Sequence, residues 1–113
     1  MTEKPVVWVG STQEDLRRFP EEARRRAGYE LHQVQIGLAP SDWKPMSTVG
    51  SGVREIRIHA GGAFRLVYVA KLEEAIYVLH AFEKKTRQTP KREIDLARSR
   101  LAAVQANREG SGA

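Results

Sequence analysis

Arg65 stands inside the apolar run FRLVYVA, and cations crowd the end of the next apolar run as Lys84, Lys85 and Arg87, with Lys91 and Arg92 just beyond. A guanidinium fixed in a half-buried strand, with ammonium groups close by, suits the gripping of phosphate oxygens. Arginine offers a planar fork to two oxygens, and lysine adds a movable point charge. The other reading of Arg65 is a structural salt bridge, for which Glu55 on the neighbouring strand is available. Lys84 and Lys85, taken singly, read equally well as solvated surface charges. Arg57 is a further candidate for the Arg65 face.

Those cations need a sheet to hold them. Phe64–Ala70 and Ala75–Phe82 are rich in β-branched and aromatic residues, and the short polar stretch 71–74 joins them as a hairpin. Val53–His59 alternates strictly, so Arg54, Ile56 and Ile58 face one way and Glu55, Arg57 and His59 the other. Gly61-Gly62 turns that strand into the next. By the same alternation His80 shares a face with Ile76, Val78 and Phe82, which makes it a core histidine unless the strand end twists it outward. Arg65 shares a face with Val67 and Val69, and Tyr68 sits among apolar neighbours.

Helices flank these strands. Pro5–Gly10 reads as a first strand, and Ser11 with Glu14 three residues on reads as a capping box opening a short helix. Pro20 kinks that helix or starts another, which should reach about Ile36 with Ala23, Ala27, Leu31, Val34 and Leu38 on its apolar face. Arg24, Arg25 and Arg26 lie mostly off that face and read first as solvated charges. Residues 37–52 read as a loop, with Trp43 either pinning it to the core or offering a stacking surface. Thr89-Pro90 predicts a cap and first position of a last helix, with Ile94, Ala97, Leu101 and Val104 as its apolar stripe. Lys91 and Arg92 at that start oppose the helix dipole, which makes them candidates for contact with substrate or rRNA and equally readable as solvated surface charges.

The expected order is β-α-α-β-β-β-α, an α+β domain with a small, mostly antiparallel sheet covered by helices on one face and partly open on the other. Residues 1–106 are expected to form one domain and residues 107–113 a small, polar, flexible tail.

Composition narrows the function classes. The 113 residues carry no cysteine, which removes thiolate chemistry and disulfides. No apolar run nears the ~20 residues of a membrane span, and no signal peptide is evident, so a cytoplasmic location is expected. The net charge of +5 arises wholly after residue 52, where twelve Lys/Arg face seven Asp/Glu. A polyanionic partner follows: nucleic acid first, an acidic protein second.

The segments GVREIR (52–57), FRLVY (64–68), HAFEKKT (80–86), TP (89–90) and EIDLA (93–97) resemble the RelE/HigB toxin superfamily, and within it the phage-derived HigB-like branch. The resemblance implies a RelE-like fold and a ribosome-dependent mRNA endonuclease neutralised by a cognate antitoxin, often a helix-turn-helix protein. It implies a catalytic role for Arg65 on the scissile phosphate, with Lys84 and Lys85 in the cationic stretch after the last strand. Arg57, Arg87, Lys91 and Arg92 are then RNA-binding candidates. The superfamily also holds gyrase poisons on the same fold, so a non-enzymatic binder is the alternative.

Cleavage of RNA without a metal requires activation of a 2′-OH, charge stabilisation at phosphorus and protonation of the leaving 5′-oxygen. His32, His59 and His80 are scattered and no paired carboxylates stand out, so no metal or other cofactor is expected. His80 and Tyr68 are the candidates for proton transfer, each also readable as core.

Overall fold

The β-branched and aromatic runs form the centre of a five-stranded sheet. A computed structural model describes residues 3–111. The elements are β1 (Val6–Trp8), α1 (Thr12–Arg17), α2 (Glu21–Gln35), β2 (Trp43–Pro45), β3 (Val53–His59), β4 (Ala63–Val69), β5 (Ile76–Glu83) and α3 (Lys91–Ser111). The sheet order is β1-β5-β4-β3-β2, antiparallel except where β1 lies parallel to β5. The α+β class is as the sequence predicts.

β4 is the central strand and, Arg65 apart, is apolar on both sides, as suits a strand between two packed layers. On the first face Ile56, Ile58, Phe64, Leu66, Tyr68, Ile76 and Val78 pack with Phe19, Ala23, Ala27, Leu31 and Val34 of the α1–α2 layer. On the second, Val53, Val67, Val69, Leu79 and Phe82 pack with Ala97, Leu101 and Val104 of α3. Burial of each larger apolar side chain contributes about 1.5–3 kcal/mol. Helices therefore cover both faces, whereas the sequence suggests only one. Toward β2 the second face is less covered, with Lys44 exposed and Arg57 half-buried.

Four local expectations are corrected. β2 lies within the expected loop: Trp43 pairs with Ile56, and its ring stacks under Arg54, whose guanidinium carbon is 4.2 Å from the ring centre. Three residues are too few for period-two alternation to announce a strand. Ser11 makes no capping bond; its hydroxyl instead donates to Asp15 at 2.8 Å. The last helix starts one residue late, with the Pro90 carbonyl accepting from Glu93 and Ile94. Leu38 lies beyond the end of α2 and is exposed.

α3 runs into the segment expected as a tail, and Arg108 there forms a two-pronged bond to Glu74 in the β4–β5 loop, at 2.6 and 3.2 Å. Residues 112–113 of that segment lie outside the described residues.

Candidate active site

The site is built by a single extra residue in β5. Val67 pairs with His80 and Tyr68 with Val78, so Leu79 is bulged out of the ladder. A bulge reverses the facing of every side chain after it. Val78 therefore packs on the first face, while Phe82 packs on the second. His80, opposite Val67 and stacked on Phe82 with ring centres 4.8 Å apart, lies on the second face too. Strict alternation had placed His80 with Ile76 and Val78. The bulge moves it to the face of Arg65.

Two cross-strand rows result. Arg57, Arg65 and Phe82 form the first across β3, β4 and β5, and Glu55, Val67 and His80 form the second. Arg57 and Arg65 are direct cross-strand partners. Like charges so placed repel, so the pair needs an anion. Glu55 supplies it: its carboxylate lies 3.4 Å from Arg65 Nε and 3.8 Å from Arg57 Nε. Among the described residues neither Nε–H makes a hydrogen bond, and both are buried. The Arg65 side chain is only 5% exposed, against 27% for Arg57. Arg65 Nη1 also donates to the Phe64 carbonyl at 3.0 Å. Burial draws the Arg65 guanidinium below its ordinary value, and Glu55 opposes that shift.

Beside these rows runs a carboxylate–imidazole–guanidinium chain. His80 Nε2 lies 3.2 Å from the Glu93 carboxylate in the first turn of α3. Arg100 approaches Nδ1 at 3.5 Å and donates to the Leu79 carbonyl at 3.0 Å and to Ser11 at 3.0 Å. Arginine can only donate, so the Nδ1 contact assigns the neutral ring its hydrogen on Nε2, directed at Glu93. The Glu93 side chain is 18% exposed and His80 6%. Both line a cleft of about 330 Å³ with Asp15, Arg18, Phe82 and Glu83.

The remaining predicted residues distribute unevenly. The Lys84 amide donates to the Ala63 carbonyl at 2.7 Å, which continues the ladder and, by alternation from Phe82, places Lys84 on the Arg65 face. Lys85 is exposed and turned toward Glu83, at 3.9 Å. Arg87 and Arg92 are exposed, and Lys91 is 3.5 Å from Asp95. Tyr68 is fully buried on the opposite face, where burial pushes its hydroxyl above the ordinary value. The structure thus brings Arg57, Arg65, His80 and Lys84 to one face and leaves Tyr68 apart. Among the described residues no cluster of three or more His, Asp or Glu side chains is placed to hold a metal.

Sequence reasoning missed Glu93 and Arg100. Their signal was present as a spacing of seven, which sets both on one side of α3 two turns apart. Nothing in the sequence announced the bulge that turns His80 toward them.

These features define a small α+β domain whose sheet carries a cationic row beside a histidine–carboxylate pair. The chain belongs to the phage-derived Gp49-like protein family (DUF891), whose pattern matches residues 14–102. That family is related to RelE/HigB-type toxins. Among curated proteins none matches the chain.

Proposed function

We propose that the chain is the toxin of a type II toxin–antitoxin pair and acts as a ribosome-dependent, metal-independent mRNA endonuclease. Family membership supports the toxin-like class. The observation that carries the enzymatic reading is the Arg57–Glu55–Arg65 arrangement, in which two guanidinium groups share one carboxylate. Arg57 remains 27% exposed and lies 3.8 Å from the one carboxylate it shares, so its guanidinium is available to a phosphate gaining charge on passing to trigonal-bipyramidal geometry. Arg57, the more exposed of the two, contacts the scissile phosphate. Arg65 supports it from beneath as a fixed charge, and Lys84 neutralises the developing charge from the β5 side.

Proton transfer falls to Glu93, held by His80. The Glu93 carboxylate accepts the 2′-OH proton, the 2′-oxygen bonds to the adjacent phosphorus, and the bond to the 5′-oxygen breaks. The 5′-oxygen leaves with a proton passed back through the Glu93–His80 pair. The products are a 2′,3′-cyclic phosphate and a 5′-OH. Arg100 fixes the imidazole so that Glu93 faces the cleft. Exposed Lys85, Arg87, Lys91 and Arg92 track the RNA around the site, and an antitoxin protein, helix-turn-helix in type, is the neutralising partner.

Induced expression tests the reading. Wild type stops protein synthesis and produces new mRNA 5′ ends within open reading frames. Arg57→Ala combined with Lys84→Ala does neither at equal protein level. Undiminished growth inhibition by that double variant overturns the site assignment, and a DNA-damage response without mRNA cleavage overturns the reaction.

A further inference from the structure

A second cationic site lies at the other end of the strands. Lys4, Arg54 and Lys71 line a pocket of about 310 Å³ with Val34, Gly37, Leu38, Gly52 and Ala70. Among the described residues none of the three cations is in an ion pair. Three unpaired charges around one concavity repel one another, and an anion relieves that repulsion.

The cations are held in place. Arg54 is stacked on Trp43. Lys4 Nζ donates to the Ala70 carbonyl at 2.6 Å, which leaves it two further hydrogens. The Lys71 stem crosses Gly52 so closely that a Cβ there would meet Lys71 Cδ at 2.6 Å, and Gly52 has φ +77°. The nearby C-terminus of α2 does not neutralise the cations, because its last carbonyls are engaged: His32, Gln33, Val34 and Gln35 accept from Ile36, Leu38, Gly37 and Lys4 amides.

We propose that the Lys4–Arg54–Lys71 pocket binds a backbone phosphate of RNA, on the opposite sheet face from the Arg57–Arg65 row. Arg54 supplies the fork and the lysines the flanking charges, with the Trp43 ring beside them as a surface for a base. The identity of the ligand rests on the RNA reading above. The pocket anchors the toxin on RNA and does not take part in cutting.

The test is binding without cleavage. The full chain, ¹⁵N-labelled, is titrated with a fully 2′-O-methylated RNA of about a dozen nucleotides, which cannot be cut, across a salt series, and with inorganic phosphate in parallel. Expected are shifts of the Gly37, Gly52 and Lys71 amides with both ligands. Arg54→Gln with Lys71→Gln should weaken RNA binding several-fold and lower the salt slope by about 0.7, one single-strand phosphate. Lys4→Gln, which leaves the Trp43 stack untouched, should weaken it in the same direction with the fold retained. Equal affinity and slope in wild type and in both folded variants overturns the proposal. So do shifts with phosphate alone, which would make the pocket a small-anion site. RNA binding confined to Arg57 and Lys84 removes the pocket and leaves the nuclease reading standing, whereas binding here by a chain that cuts nothing does the reverse.

Discussion

Arg57 and Arg65 face each other across β3 and β4, and the Glu55 carboxylate lies between their Nε atoms at 3.8 and 3.4 Å. Two like charges on one patch of sheet repel, and Glu55, with a smaller contribution from Asp42, balances them. The neighbouring row ends in His80, joined to Glu93 at 3.2 Å. The cationic row and the His80 row are thus neighbours on one sheet face, with Glu93 of α3 beside His80 at the β5 end, and the proposed RNA cleavage builds on that arrangement.

The two arginines should separate on substitution. Arg57→Ala removes a like-charge contact and a half-exposed side chain, so stability changes little while cleavage falls about 10²–10³-fold. Arg65→Ala leaves Glu55 buried with only the more distant Arg57 nearby, and should cost about 3 kcal/mol. Urea unfolding beside single-turnover cleavage distinguishes them. Equal destabilisation by both would mean that Arg57 is as structural as Arg65.

Glu93→Gln keeps a hydrogen-bond acceptor for His80 and removes the base. Cleavage should drop about 10²-fold or more with the fold retained. His80→Ala should lose activity and, because His80 is buried, stability as well. A Glu93→Gln protein that cuts at the wild-type rate would exclude Glu93 as the proton acceptor.

Gly10 leaves room for the Arg100 guanidinium directly beside it. Its φ is +62°, and a Cβ there would lie 2.7 Å from Arg100 Nε. Gly10→Ala should therefore cost about 1–3 kcal/mol through backbone strain and displace Arg100. With Arg100 displaced, the His80 ring loses its preference for a hydrogen on Nε2, which ¹⁵N shifts of the imidazole report. An unchanged His80 spectrum would show that Arg100 does not set the tautomer.

Much of this was legible in the sequence, for identifiable reasons. The apolar runs 64–70 and 75–82 and the stripe Ile94, Ala97, Leu101 and Val104 carry strong periodic signals, and strands and helix formed where they point. Arg65 is conspicuous in the sequence because a charge inside an apolar strand demands a partner, and Glu55 on the neighbouring strand is one that the sequence offers. The face of His80 was not legible, because a one-residue bulge leaves composition unchanged while reversing every later side chain. Nor was the second helical layer: the stripe on α3 shows that it packs, not which side of the sheet it covers. The contact of Glu93 with His80 was hidden because the two are thirteen residues apart on different elements.

Acid should loosen the far end of α3 first. Arg108 and the Tyr77 hydroxyl both bond to the Glu74 carboxylate and hold it at about 2, below the ordinary 4.5. A carboxylate depressed on folding stabilises the native state above the ordinary value, and that contribution disappears as pH falls through 4.5 toward 2. Wild type should therefore exceed Glu74→Gln in melting temperature at pH 6, the difference vanishing by about pH 2 and shrinking in high salt, since the pair is exposed. A pH-independent difference would mean that the ion pair contributes nothing to the docking of α3.

The most direct measurement of the central claim uses purified chain, ribosomes programmed with a defined mRNA, and a chelator throughout. The account predicts cleavage within the ribosome-bound message, a 2′,3′-cyclic phosphate on the upstream fragment, and a rate that falls in Arg57→Ala and Glu93→Gln while both remain folded. An intact message with wild-type protein, or cleavage that leaves a 3′-OH and a 5′-phosphate, would contradict it.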